Sequence, residues 1–342
     1  MTRGSTSLPA FGRPAPEVAF ALEALRAAAS VLRGVGRSTS RLEKSDRTPV
    51  TTADLAVQAV LAALLQRTFA EDVLVAEESA ETLRRPEAAR LLTEVVAAAR
   101  IVLPEADPAR VMAWLDRGRG QPGNRFWTLD PIDGTKGYLR DGQYATALAL
   151  IEEGDVVLGC LACPRYPAAT SNGSFAVAVR REGAWTASSL AGVWTRLAVS
   201  DETDPARGRL LRSVESGRAT DQRLAELRCA LGTAAPEVRM DSQVKYLALA
   251  AGAGDLIVRL PRKQGALREN IWDHAVGVLL VEEAGGRCTD VLGRALDFHT
   301  ARQMDRNLGV VASNHWLHAA ALDALQRTAP AGSGERISDG PG

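Results

Sequence analysis

The chain has 342 residues, enough to bury one large core or two closely packed ones. Lys plus Arg and Asp plus Glu number 41 each, so the net charge is zero, which argues against binding nucleic acid or a membrane surface through a global field but leaves room for a local basic pocket. No apolar run approaches a membrane span and residues 1–14 lack the apolar core of a signal peptide, so a cytoplasmic protein is expected.

Residues 1–14 and 329–342 are Gly, Ser and Pro rich and are expected to be a disordered lead and tail. Between them the chain divides into two halves, 15–190 and 191–328. Apolar residues at helical spacing from Pro16 to Leu32 predict a first helix. Thr51-Thr52-Ala53-Asp54 precedes Leu55, Val57, Val60, Leu61, Leu64 and Leu65, which predicts a helix over 52–69. Asp54 reads either as its cap or as a working carboxylate. Val73 to Val75 predicts a short strand ending in Glu77-Glu78, and paired glutamates at a strand end are unusual if they only face solvent. Residues 87–117 predict one or two surface helices.

Phe126 to Leu129 predicts a buried strand that stops at Asp130, because Pro131 has no N–H to donate to a ladder. Asp130-Pro131-Ile132-Asp133-Gly134-Thr135 then places two carboxylates on one sharp turn. Taken alone, the string is most simply a turn, since Asp, Pro and Gly are the usual turn residues. Carboxylates this crowded nevertheless repel unless a cation lies between them, and Mg²⁺ accepts such hard oxygens together with waters and phosphate. The Ile132 carbonyl is a further candidate ligand. The N–H groups of Gly134 and Thr135 are candidates for holding an anion.

From Tyr144 onward the pattern becomes strands at 146–152, 156–162 and 175–179, joined by Gly-containing turns, and an antiparallel sheet is expected. Cys160 and Cys163 form C-x-x-C, where zinc or redox chemistry competes with buried free thiols; the apolar strand around Cys160, and the isolation of Cys229 and Cys288, favour the thiols. Residues 182–196 read as a loose link. The second half alternates: strand 210–214, helices 221–231 and 243–251, strand 256–260, helix 273–284, strand 309–312 and helix 316–327. Asp273 has a capping alternative at its helix start. Lys245 reads either as a snorkelling helix residue or as an anion contact beside Ser242, and Arg259 inside an apolar strand needs an anionic partner. His315 and His318 read as surface residues.

The order Asp54, Glu77-Glu78-Ser79, Asp130-Pro131-Ile132-Asp133-Gly134-Thr135 and Trp272-Asp273-His274-Ala275 resembles the inositol monophosphatase-like superfamily of lithium-sensitive, Mg²⁺-dependent phosphatases. Within it, residues 44–52, the stretch ending at Arg140, and Asp241-Ser242-Gln243-Val244-Lys245-Tyr246 look like 3′(2′),5′-bisphosphate nucleotidases. The resemblance implies a layered α-β-α-β-α sandwich of mixed α+β and α/β type. It also implies removal of the 3′-phosphate of adenosine 3′,5′-bisphosphate (PAP), and of its sulfated precursor as a second candidate. By carry-over, Glu77, Asp130, the Ile132 carbonyl, Asp133 and Asp273 would hold two or three Mg²⁺ ions, the central pair about 4 Å apart. Thr135 would relay a proton from the attacking water with Asp54 as its polariser. Gly134, Thr135, Ser242, Lys245, Arg259 and Asp273 would contact substrate. Glu78 would support the ligands or face solvent, and His274 would be a structural neighbour of Asp273. The chain departs from the branch after Ser213-Val214-Glu215, where histidines are usual and Arg218 is the candidate replacement on the adenine side. An inositol or sugar phosphate monoesterase is the alternative, and a nucleotide sensor without turnover is disfavoured by the intact acidic set. The expected partner is a small nucleotide bisphosphate, with the protein a monomer or homodimer.

Overall fold

Along 126–163, large apolar residues alternate with small ones, so each strand offers two different faces, and a sheet with both faces covered follows. A computed structural model describes residues 5–6, 8, 11–12, 15–36, 40–44, 48–167, 173–215, 217–260 and 268–329. Most of the expected lead and tail, and the motif residues Ser45, Asp46, Arg47, Ser216 and Pro261, lie outside the described residues.

In chain order, the first half runs β1 (Ser5–Thr6), α1 (Ala15–Val35), β2 (Arg41–Glu43), β3 (Pro49–Thr51), α2 (Thr52–Thr68), β4 (Val73–Ala76), α3 (Ala89–Ala99), α4 (Pro108–Arg117), β5 (Arg125–Asp133) and α5 (Thr135–Leu139). Strands β6 (Ala145–Glu152), β7 (Asp155–Cys163), β8 (Ser174–Val179), β9 (Gly183–Ala187) and β10 (Trp194–Arg196) follow. The second half runs β11 (Leu210–Arg212), α6 (Arg218–Leu231), β12 (Val238–Arg239), α7 (Val244–Ala250), β13 (Leu256–Arg259), α8 (Ala275–Glu283), β14 (Arg287–Thr289), β15 (Val310–Ser313) and α9 (His318–Arg327).

The strands form an eight-stranded sheet in the order β1-β10-β9-β8-β7-β6-β5-β4, a five-stranded sheet β12-β11-β13-β15-β14, and the pair β2-β3. The large sheet is antiparallel except where β4 runs parallel to β5. Its large-residue face, Trp127, Leu129, Leu148, Leu150 and Leu158, packs with α1 and α2. Its small-residue face, including Ala145, Ala147 and Ala149, receives α7 and α8, whose other side meets the second sheet. Helices α6 and α9 cover that sheet's far face through Leu224, Leu227, Ala321 and Leu325. The result is the expected α-β-α-β-α order. Each fully buried Leu or Phe in these layers contributes about 1.5–3 kcal/mol. Small residues let α8 approach closely: a Cβ on Gly159 would lie 3.2 Å from Val276 Cα. No helix among the described residues is long and apolar enough to cross a membrane.

Several expectations are corrected. β5 does not stop at Asp130: a bulge carries it past Pro131, so that Asp133 still pairs with Ala145. The loose link at 182–196 contains β9 and β10, both paired in the large sheet. Ser5–Thr6 of the lead pairs with β10, and Phe11 is buried. His318 is buried rather than at the surface, held by Ser313 Oγ and Thr289 Oγ1 at 2.9 Å each. Cys160 and Cys163 are buried free thiols on opposite faces of β7, one in each core layer, whereas Cys229 is exposed. The helix expected from Asp273 begins at Ala275, after a short 3₁₀ turn at Ile271–Asp273. The β2–β3 pair, β12 and β14 are too short to show a periodicity in sequence.

Candidate active site

The bulge at Pro131 gives the site its geometry. Because β5 is held in the sheet on both sides of it, with the Pro131 carbonyl accepting from Thr146 Oγ1 at 2.8 Å, Asp130 and Asp133 are fixed on rigid backbone. The chain reverses at Gly134, whose φ of +89° suits glycine. The second half delivers Asp273 on the 3₁₀ turn before α8. One carboxylate oxygen from each of Asp130, Asp133 and Asp273 lies within 4.8 Å of the others. Asp130 is buried and the other two are half-buried.

Three carboxylates at this spacing cannot all carry charge without a counter-ion. Burial, then Glu77, Asp133 and Asp273, pushes the Asp130 carboxyl well above its usual range. Asp273 is pushed up to about 7 by burial and then Asp133. Asp133 is pushed up to about 6 by burial, against the pull of Lys245 and of the Gln243 N–H that bonds its Oδ2. Asp130 Oδ1 is buried with no hydrogen-bond partner among the described residues. A buried orphan acceptor beside two further carboxylates fits a hard divalent cation, and the group is a candidate metal centre.

Glu77, at the end of β4, is a half-buried neighbour whose charge acts on all three. Glu78 is buried, not solvent-facing. Lys44 Nζ donates to Glu77 Oε1 at 2.8 Å and to Glu78 Oε1 at 2.5 Å. Even so, burial and then Glu77 push Glu78 up to about 8. The Ile132 carbonyl accepts from Thr135 Oγ1 at 3.2 Å and keeps a second lone pair.

Asp54 closes the start of α2 with one oxygen and meets Thr135 with the other. Its Oδ2 accepts from the Thr51 N–H at 2.9 Å and from Thr51 Oγ1, closing a capping box at the start of α2. Its Oδ1 accepts from Thr135 Oγ1 at 3.2 Å. Asp54 is fully buried, and burial pushes it up to about 6 despite the Thr51 hydrogen bonds.

Ser242, Lys245 and Arg259 come to the same place. Ser242 adopts φ +60°, and a Cβ on Gly134 would touch its Cβ at 3.0 Å, so the two turns abut. Lys245 is buried, not snorkelling. Its Nζ donates to the Ser242 carbonyl at 2.8 Å and the Met240 carbonyl at 3.4 Å. Burial and then Arg259 draw Lys245 down to about 8. The anionic partner that Arg259 requires is Glu269, at 3.0 Å. Glu269, despite its burial, is held well below the usual carboxylate range by Arg259 and His274. Since ionised Glu269 only accepts, His274 Nε2 donates to it at 3.0 Å, and Nδ1 lies in hydrogen-bond contact with the Tyr246 hydroxyl at 2.7 Å. Arg218, the proposed adenine-side replacement, is exposed at the head of α6.

Sequence reasoning missed four residues here. Lys44 and Gln243 lay inside recognised segments, but nothing marked them individually. Gln243 bonds Asp133 through its N–H, the Trp272 carbonyl through Nε2 at 2.9 Å, and the Gly277 N–H through Oε1 at 3.0 Å. Glu269 had a signal, as a carboxylate ten residues after an unpartnered strand arginine. Arg302 had none.

Comparison with known proteins identifies the family. The family model described as the inositol monophosphatase family matches residues 14–330. A 3′(2′),5′-bisphosphate nucleotidase of Emericella nidulans is 35% identical over 322 residues, covering 85% of this chain and 91% of that protein. Its Oryza sativa counterpart is 35% identical, covering 93% and 96%. Among solved structures, the Thermotoga maritima IMPase superposes with a TM-score of 0.65 at 19% identity, covering 91% of this chain and 97% of that one. CysQ from Bacteroides thetaiotaomicron, a bacterial member of the inositol monophosphatase family, gives 0.60 at 20% identity, covering 87% and 97%. At these identities the solved structures speak for the fold.

Proposed function

The chain belongs to the inositol monophosphatase family, and from that footing we propose that it is a 3′(2′),5′-bisphosphate nucleotidase: a Mg²⁺-dependent phosphomonoesterase that converts PAP to AMP and inorganic phosphate. The observation that carries this reading is the placement of Lys245 and Arg259 within electrostatic reach of Asp133 and Asp273. An acidic cluster suited to cations around one phosphate lies beside Lys245 and the Arg259–Glu269 pair, whose basic groups are suited to another.

Asp130, Asp133 and Asp273, with Glu77 and the Ile132 carbonyl, would hold the metal. When bound, Mg²⁺ supplies positive charge that offsets the charge on the phosphoryl oxygens and makes a neighbouring water easier to deprotonate. Thr135 Oγ takes a proton from the attacking water as its own proton passes to Asp54 Oδ1. The water oxygen bonds to phosphorus, the bond from phosphorus to the 3′-oxygen breaks, and that oxygen leaves as a hydroxyl after taking a proton from solvent. The Gly134 and Thr135 N–H groups hold the phosphate that is cleaved. Ser242, Lys245 and Arg259 hold the one that is not.

Phosphate release with saturating Mg²⁺ tests this against PAP, 3′-AMP, inositol 1-phosphate and fructose 1,6-bisphosphate. PAP is expected to be the best substrate. Faster release from inositol 1-phosphate would make the protein a monoesterase of the other kind.

Lys245→Ala sharpens the same test. Loss of a charge-assisted contact of about 1.5–3 kcal/mol should lower kcat/KM for PAP roughly tenfold to a hundredfold. Hydrolysis of 3′-AMP, which has no 5′-phosphate to lose, should hardly change. Equal losses on both substrates would mean that Lys245 supports the metal side or the fold instead.

A further inference from the structure

Arg302 lies outside every recognised segment, yet its half-buried side chain links the backbone just before Glu77 to the residue just before Asp273. Among the described residues, none of its side-chain hydrogen bonds goes to a carboxylate. Nη2 donates to the Ala76 carbonyl at 2.5 Å, and Nη1 donates to the carbonyls of Gly118 and Gly120 at 2.9 Å each. Ala76 is the residue before Glu77. Gly118 and Gly120 flank Arg119, which bridges to Val75 of β4, so the guanidinium fastens the end of β4 and the loop beside it. The same guanidinium sits 4.9 Å from the ring centroid of Trp272, the residue before Asp273. The main chain completes the brace: the Ile271 N–H bonds the Arg302 carbonyl at 3.1 Å, Gln303 bridges to Asn270, and the Met304 N–H bonds the Glu269 carbonyl at 2.9 Å.

A planar fork with five donors can hold three carbonyls and stack on a ring at once, whereas an ammonium cannot. We propose that Arg302 is a positioning residue. It sets the separation between Glu77 and Asp273, and therefore the cation affinity of the cluster, rather than the stability of the fold. This rests on the reading of the acidic cluster as the metal centre.

The test is calorimetric titration of Mg²⁺ alone, without substrate, into wild type, Arg302→Lys and Arg302→Gln, with folding at 25 °C checked by circular dichroism. Arg209→Lys serves as a control for the loss of a guanidinium elsewhere, since Arg209 pairs with Asp255 outside the site. Loss of a partner that orients metal ligands typically weakens binding tenfold to a hundredfold. Arg302→Lys should therefore raise the Mg²⁺ Kd by about that factor, with kcat recovering at high Mg²⁺, while Arg209→Lys leaves Kd unchanged. An Arg302→Lys protein that is folded and binds Mg²⁺ within about twofold of wild type would overturn the proposal. So would an Arg302→Lys protein that is unfolded at 25 °C, since Arg302 would then serve the fold. If Arg302→Gln alone fails to fold, Arg302→Lys decides. Absence of Mg²⁺ binding by wild type would instead count against the metal reading itself.

Discussion

Asp133→Asn should abolish most of the activity and, in metal-free protein, make the fold more stable. The substitution keeps the volume and leaves a side-chain oxygen to accept from the Gln243 N–H, but removes one charge from the three-carboxylate group. Removing one preorganised electrostatic partner typically costs roughly 10²–10³-fold in kcat, and that is the loss expected in phosphate release. The stability effect follows from the sign of the proton linkage. Asp133, at about 6, and Asp273, at about 7, titrate above their unfolded values, so the folded protein binds protons that the unfolded chain has already released. Stability of the metal-free protein therefore falls as pH rises from about 4 through about 7. At pH 8, Asp133→Asn relieves its share, on the order of 1–3 kcal/mol, and that gain shrinks toward pH 4. Adding Mg²⁺ should stabilise wild type by mass action and the variant far less. Thermal unfolding at pH 5 and pH 8, with chelator and with Mg²⁺, measures all of this. Full turnover in excess chelator, or a variant as active as wild type, would sink the metal-assisted mechanism.

Asp130 and Asp133 each had a local use as turn residues and Asp273 one as a helix cap, so the acidic set was legible only through the order and spacing of its motifs along the chain. The main strands and helices were legible from apolar runs and helical spacing, whereas their layered order was implied by the family resemblance. What could not be read was whatever depends on one segment meeting another. Pro131 correctly removes a ladder donor, yet the pairing of Asp133 with Ala145 restores the strand beyond it, which no local rule supplies. Asp54 offered a choice between cap and catalyst, and the structure shows that its two oxygens allow both. The segment 182–196 looked loose because its polar residues hide two short strands whose partners lie in the large sheet. Lys44 meets Glu77 33 residues away, Gln243 meets Asp133 110 away and Arg302 meets Ala76 226 away, while Glu269 meets Arg259 and His274 only ten and five residues away.

The pair Thr135 and Asp54 is where chemistry and geometry can be separated most sharply. Thr135→Ala removes the hydroxyl that links Ile132 O and Asp54 Oδ1 at 3.2 Å each, and Asp54→Asn removes the base while an amide oxygen can still cap α2. If the hydroxyl relays a proton to Asp54, each single change should lower kcat by roughly 10²–10⁴-fold, the usual span for a positioned proton acceptor. KM for PAP should move little, because neither group holds the part of the substrate that is not cleaved. The double variant should be scarcely worse than either single one, since residues acting as a unit are not additive. The pH profile gives an independent check. Burial and the Glu77 charge raise Asp54 to about 6, and a cation on Glu77 would cancel that second contribution, so kcat/KM should rise with an acid limb no higher than about pH 6. That limb should vanish in Asp54→Asn. If instead the two single losses multiply in the double variant and the acid limb survives, Thr135 only shapes the turn and Asp54 only caps the helix, and the proton must leave the water by another route.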